Sequence, residues 1–242
     1  MENIFLSVVI PAYNEEKNLA GTLTEINEYL SGKPFAWEVI AVDDGSKDST
    51  VREAEAFAGR IKNFRLIKSS PNRGKGFALR KGMLEAAGEY VLFMDADNST
   101  SIKEMESFLP YIDSSADIII ASRRVRGASV EVPANRKIMG NVYVFLARLI
   151  LGISVNDINC GFKVFKSAVS KKLFSAQIMN DWSFDAEVIY LAGRYGFRTL
   201  EVPVNWVHKD TSKVVPFRDG VKSFVSLINI LKNAMKGVYP SK

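Results

Sequence analysis

The chain has 242 residues, 47% of them hydrophobic and 24% charged, the balance of a globular protein large enough to bury a full core, and it reads as one α/β domain with a small appendage. One cysteine, Cys160, and one histidine, His208, exclude a disulfide framework and a histidine-rich metal site, and they fit a reducing cytoplasmic setting. The net charge of +5 is localised, because residues 209–242 hold seven Lys/Arg against two acids; the body is neutral, and the tail suits an anionic surface.

A short apolar run over 6–10 predicts a first strand that Pro11 ends, and Leu19, Leu23, Ile26 and Leu30 at helical spacing predict a helix after it. No basic segment precedes an apolar run at the start, and no stretch of about 18 apolar residues follows, so neither a signal peptide nor a membrane span is expected. Further strands are expected at 37–42, 64–67, 90–94 and 118–121, with helices near 48–59, 75–87 and 101–111 between them. This alternation predicts a mainly parallel central sheet flanked by helices, whose ligands bind at the carboxyl ends of the strands. The second half is less regular, with an apolar helix at about 135–152, a loop over 157–161, a helix at 184–195 and a strand at 198–204. From Val221 to Val238, positions 221, 224, 225, 228, 231, 235 and 238 form one apolar stripe opposite Lys222, Ser226, Asn229, Asn233 and Lys236. That is an amphipathic basic helix, which either docks on the domain or lies on a membrane surface.

The residues just after the strands carry the chemistry. Asp95-Ala96-Asp97 follows the 90–94 strand, and two carboxylates at this spacing can share a hard divalent cation with a phosphate. Asp43 and Asp44 follow the 37–42 strand; a carboxylate there can accept hydrogen bonds from a base or ribose, or Ser46 and Asp48 can simply cap a helix. Pro11-Ala-Tyr13-Asn14-Glu15 offers an aromatic able to stack on a base, or a capped loop. Gly74-Lys75-Gly76 fits neither dinucleotide nor P-loop spacing; it is a helix start or a place where backbone and a lysine approach a ligand.

In their order and spacing these motifs, with Asn72-Arg-Gly-Lys-Gly76, resemble GT-A glycosyltransferases of family 2. The second half carries Ala121-Ser-Arg123, Arg136, Asp157 to Lys163, Trp182 to Glu187, Glu201 to Trp206 and Ser212-Lys213, which resembles the polyprenyl-phosphate sugar synthases, and among them most the dolichyl-phosphate glucosyltransferases. The resemblance implies a GT-A domain over 1–210, with a nucleotide-sugar half (1–100) and an acceptor half (101–210), followed by a basic amphipathic helix over 211–242. It implies a nucleotide-sugar site of Pro11, Tyr13, Asn14, Glu15, Asp43, Asp44, Lys75, Asp95, Ala96, Lys209 and Lys213. It implies Mg²⁺ or Mn²⁺ on Asp95 and Asp97, and catalytic roles for Asp97, Arg123, Arg136, Asp157 and Asp185. Two departures stand out: Ser99 stands where many mannosyl relatives have a glutamine as a further metal contact, which implies a different metal shell, and Lys163 stands where they tend to carry arginine, which tilts the donor toward a glucosyl one.

The expected reaction is metal-dependent, inverting transfer of a hexose from UDP-glucose to dolichyl or another polyprenyl phosphate. A lipid phosphate with a second pKa near ~6 is largely dianionic at neutral pH and needs no general base; Arg123 and Arg136 would position it. The alternatives are a GDP-mannose donor, a soluble glycan acceptor activated by Asp157 or Asp185, and a non-catalytic basic module. Peripheral contact with the cytoplasmic face of a membrane is expected through the C-terminal helix and the 138–152 helix, where Val142, Phe145, Leu146, Leu149 and Ile150 form a broad face. No nucleic-acid partner is expected, and the oligomeric state is open.

Overall fold

The computed structural model describes residues 3–130, 134–207 and 216–241, with side chains throughout except at 134–137 and 216–221. In chain order the elements are β1 (Leu6–Ala12), α1 (Leu19–Ser31), β2 (Trp37–Asp44), α2 (Thr50–Glu55), β3 (Phe64–Ser69), α3 (Lys75–Glu85), β4 (Tyr90–Met94), α4 (Met105–Ile112) and β5 (Ile118–Ser122). There follow β6 (Ser129–Val130), α5 (Ala134–Leu151), β7 (Phe162–Lys166), α6 (Ser167–Ala176), α7 (Phe184–Tyr195), β8 (Thr199–Pro203), β9 (Asn205–Trp206) and α8 (Pro216–Met235). A seven-stranded sheet of order β3-β2-β1-β4-β7-β5-β8 forms the middle layer, and β6 pairs with β9 beside it.

Helices cover both faces of the sheet, so its central strands are buried on both sides. All seven residues of β1 and all five of β4 and β5 are buried, which is why these strands read as continuous apolar runs. One core layer gathers Val9, Leu79, Phe93, Phe174 and Leu191, and the other Ile10, Leu23, Leu92, Phe108 and Phe162.

Pro11 does not end β1. It pairs with Val42 inside the strand, beyond Val9, the last residue of β1 paired with β4, so on that side no ladder remains for a missing N–H to interrupt. The strand β7 and the helix α6 are not among the expected elements: the expected loop over 157–161 runs directly into β7, which inserts antiparallel between β4 and β5.

The antiparallel strand has a consequence for the site. Because Phe162 pairs with Met94, the beginning of β7 lies at the same sheet edge as the carboxyl ends of β1, β2 and β4. Residues 160–163 thus join the strand-end motifs of the first half.

The C-terminal helix buries a different face from the one its apolar stripe suggested. Ser226, Leu227 and Ile230 are buried, whereas Phe224, Val225 and Met235 are exposed. Leu227 and Ile230 join the core containing Val144 and Ala147 of α5, and a helix apolar around more than half its circumference can dock and still leave apolar residues outside.

Candidate active site

The loop after β1 and the loop after β2 are tied to each other residue by residue. Asn14, with φ of 53°, donates its backbone N–H to Ser46 Oγ at 2.9 Å and accepts from Lys47 N at 2.8 Å. Glu15 N donates to Thr50 Oγ1 at 2.7 Å. Asp43 accepts from Gly45 N at 3.1 Å and from Ser46 N at 3.2 Å, so it fixes its own turn. Asp44 reaches across instead, accepting from Arg73 N at 3.0 Å and Gly74 N at 2.6 Å; burial pushes its carboxyl above the ordinary range. A cleft of about 620 Å³ opens at these strand ends, lined by Tyr13, Asp43, Ser46, Lys47, Ser70 and Asn72.

Asp95 and Asp97 sit on a turn held from three sides. Asp95 N donates to Gly161 O at 3.1 Å, Thr22 Oγ1 of α1 donates to Ala96 O at 2.7 Å, and Asp97 Oδ1 accepts from Ser99 N at 2.9 Å. Asn98 and Ser101 both bond Glu25 of α1. Gly161 is required here by space, since a Cβ would fall 2.0 Å from Asp95 Oδ2. Burial, and then the charge of Asp95, push the Asp97 carboxyl up, the signature of two acids brought together without enough positive charge between them.

Lys75, the first residue of α3, lies 2.6 Å from Asp95 Oδ1 and 4.6 Å from the ring centre of Trp182. Burial opposes its charge, but Asp95, Asp185 and Asp97 outweigh that and raise its pKa. The fold itself needs the glycines around it: at Gly74, with φ of 109°, a Cβ would meet Asn180 O at 2.3 Å, and at Gly76 it would meet Met179 O at 2.5 Å. A second charged pair lies deeper, where Lys163 bonds Asp185 and donates to Cys160 O at 2.8 Å. Asp185 is buried, which raises its pKa despite Lys163 and Lys75, and Asp95 adds to the rise. Lys163 was not among the expected site residues; its signal is a lysine among apolar neighbours in Phe162-Lys-Val-Phe165.

Arg123 closes its fork on Asp157, with Nε 2.7 Å from Oδ2, Nη2 2.9 Å from Oδ1, and its own N–H 3.0 Å from Oδ2. Burial works to raise Asp157, and Arg123 outweighs it, holding the carboxyl below the usual range. Asp157 N in turn donates to Glu201 Oε1 at 3.0 Å. The fork expected to face a phosphate is therefore engaged within the protein. Trp206 lies against Arg123, 5.3 Å from its guanidinium, and Trp182 is 57% exposed. Cys160 is buried with its thiol pushed up to about 12 by burial, so it is no nucleophile at neutral pH. His208, Lys209 and Lys213, and the side chain of Arg136, lie outside the described residues.

The residues present suit a divalent cation. A buried Asp95 oxygen has no aligned hydrogen bond beyond its ion pair, and Asp97 is raised by burial and then by its like-charged neighbour. Among the described residues no third His, Cys, Asp or Glu joins them, so a cation here would need its remaining ligands from diphosphate oxygens and water.

Residues 7–174 match the model of glycosyl transferase family 2. The chain is 32% identical to a dolichyl-phosphate beta-glucosyltransferase of Dictyostelium discoideum, all of this chain aligning with 78% of that one. It is 34% identical to the enzyme of that name from Saccharomyces cerevisiae, over 98% of this chain and 77% of that one. Among solved structures, glucosyl-3-phosphoglycerate synthase of Mycobacterium tuberculosis in complex with Mn²⁺, UDP-glucose and phosphoglyceric acid superposes with a TM-score of 0.70 at 18% identity, over 98% of this chain and 81% of that one. Mannosyl-3-phosphoglycerate synthase of Rubrobacter xylanophilus does so with a TM-score of 0.70 at 15% identity, over 96% and 74%.

Proposed function

The chain belongs to glycosyl transferase family 2, and we propose that it transfers glucose from UDP-glucose to the phosphate of dolichyl phosphate, with Mg²⁺ or Mn²⁺ held by Asp95 and Asp97. The observation that carries the proposal is the meeting of Asp95, Asp97 and Lys75 at the end of β4, at the sheet edge that also bears the cleft of Asp43 and Tyr13. The names of the relatives support the glucosyl donor and the lipid phosphate acceptor, and the UDP-glucose and Mn²⁺ complex of a protein of the same fold supports the donor and metal.

In this reading the base and ribose occupy the cleft, where Tyr13 offers a ring and Asp43, fixed by Gly45 and Ser46, offers carboxylate lone pairs. The diphosphate points to Asp95 and Asp97, and a cation bound there supplies positive charge for the departing UDP. Lys75 adds a second positive charge on the same side. The acceptor phosphate, already dianionic, attacks the anomeric carbon directly; the phosphate–carbon bond forms as the carbon–UDP bond breaks, and no proton moves. Arg136 is assigned to hold that phosphate. Arg123 keeps Asp157 and the end of β5 in place, and Asp185 does the same for Lys163.

The acceptor's lipid chain calls for a bilayer, and among the described residues no helix is long and apolar enough to cross one. Along α5 an unbroken stripe faces outward instead: Ile138 is 63% exposed, Val142 52%, Phe145 64% and Leu149 72%. Phe224 and Val225 of α8 are exposed too, as are Lys222, Lys232 and Lys236. We assign this surface to peripheral membrane contact. Calorimetric titration with nucleotides in Mn²⁺ tests the donor: UDP binding more tightly than GDP is expected, and a preference for GDP would overturn the glucosyl reading.

A further inference from the structure

Lys75 and the proposed cation compete for one carboxylate. Its ammonium lies 2.6 Å from Asp95 Oδ1, and an ammonium at that distance and a divalent ion cannot both use the same oxygen without strong repulsion. Of the other cations near it among the described residues, Lys163 is committed to Asp185 and Cys160 O, and Arg123, which also feels Asp95, has its fork closed on Asp157. Lys75 is therefore the counter-ion of the Asp95 and Asp97 pair in the protein alone. Its backbone is pinned, because the α3 start packs against Asn180 and Phe77 N donates to Asn180 O at 3.2 Å. From the same position the ammonium also lies over the exposed ring of Trp182 at 4.6 Å, an attraction that does not depend on Asp95 and that would remain if the carboxylate were taken by a metal.

We propose that Lys75 is a resident stand-in for the cation: it neutralises Asp95 in the free protein, is displaced when metal arrives, and then turns to the diphosphate that arrives with it. The proposal rests on the reading of Asp95 and Asp97 as the metal site. Its consequence is that metal alone must displace a bound ammonium and binds weakly. Metal with a nucleotide gives that ammonium a new anionic partner and binds strongly. Lys75 thus couples metal to donor, so that the site is not filled by metal in the donor's absence.

The test is Mn²⁺ binding by electron paramagnetic resonance, with and without UDP, in the wild type, Lys75→Met and Lys75→Arg. Methionine suits the surrounding rings of Phe93, Trp182 and Phe184. Lys75→Met is expected to bind Mn²⁺ alone about tenfold more tightly than wild type, and UDP in saturating Mn²⁺ about tenfold more weakly. Lys75→Arg, which keeps the charge, gains no affinity for Mn²⁺ alone. A purely structural lysine would weaken Mn²⁺ binding when removed, and a purely phosphate-binding one would leave Mn²⁺ alone unchanged; either result overturns the proposal. If the wild type binds no Mn²⁺ even with UDP, the metal reading falls and the proposal with it. A measurement on the unmodified side chain guards against a misfolded variant: Mg²⁺ with UDP is expected to shift tryptophan fluorescence, and the shift is absent in Trp182→Phe. No shift in the wild type would contradict displacement.

Discussion

Asp95 shows how narrowly a single side chain is placed. Gly161→Ala puts a methyl 2.0 Å from Asp95 Oδ2, so the carboxylate must turn away; we expect Mn²⁺ binding to fall at least tenfold while the thermal unfolding midpoint moves by only a few degrees. Asp97→Asn removes one of the two carboxylates proposed to hold the metal, and with a Lewis acid contributing several kcal/mol we expect kcat/KM to fall about 10³-fold, measured with UDP-glucose. A pH effect follows from the raised pKa of Asp97. The metal needs the carboxylate ionised, so Mn²⁺ affinity is full above that pKa and is lost as pH falls through it, at a pH above the ordinary carboxylate value of about 4. Asp157 has the opposite shift: its stabilisation is present above the unfolded pKa and fades only as pH falls through a value below the usual range. Asp157→Asn leaves Arg123 with no counter-charge and is expected to cost about 3 kcal/mol in urea unfolding. The acidic motifs of this site stood in plain view after each strand, because strand ends are where such sheets bind ligands. The pairings did not, since nothing local in Ser122-Arg-Arg124 or Asn156-Asp157 says that a guanidinium 34 residues away will close on that carboxylate.

Among the elements, those with strong periodicity were the legible ones. The helix expected at 184–195 is α7, Phe184–Tyr195, bounded by Gly196 with φ of 79° in a turn where Phe197 N donates to Ala192 O at 2.9 Å. The strand β7 escaped because its two lysines interrupt the apolar run, one of them buried against Asp185, and a buried lysine is invisible to a hydropathy pattern. The face of α8 was misread for a related reason: Ser226 looked like the solvent side but lies against the core, while Phe224 and Val225 face outward. Those outward residues and the α5 stripe belong to one prediction. Phe145→Ser with Leu149→Ser is expected to lower co-sedimentation with anionic liposomes at least tenfold and to change stability by under about 1 kcal/mol, because both side chains are already exposed. Unchanged sedimentation would remove α5 from the membrane contact.

At the level of the whole molecule, one sheet edge collects groups from distant parts of the chain. The loops after β1, β2 and β4, the start of α3, the start of β7 and the end of β5 all meet there, and the antiparallel insertion of β7 joins the two halves. The parallel half of this architecture is readable from strand and helix alternation alone, and its motifs resemble family 2 on sequence alone. In residues 101–210 the strands at 118–121 and 198–204 and the helices at 135–152 and 184–195 are equally readable, whereas β7 and the contacts it makes are not, because they depend on a strand order that no local pattern encodes. This edge is proposed to move glucose from UDP to a lipid phosphate, and turnover decides it. Purified protein is incubated with Mn²⁺, dolichyl phosphate and, in parallel, labelled UDP-glucose or GDP-mannose, and label extracted into organic solvent is counted. The account predicts lipid-borne label from UDP-glucose, little from GDP-mannose, and none with Asp97→Ala; label from GDP-mannose alone, or label undiminished in Asp97→Ala, would contradict it.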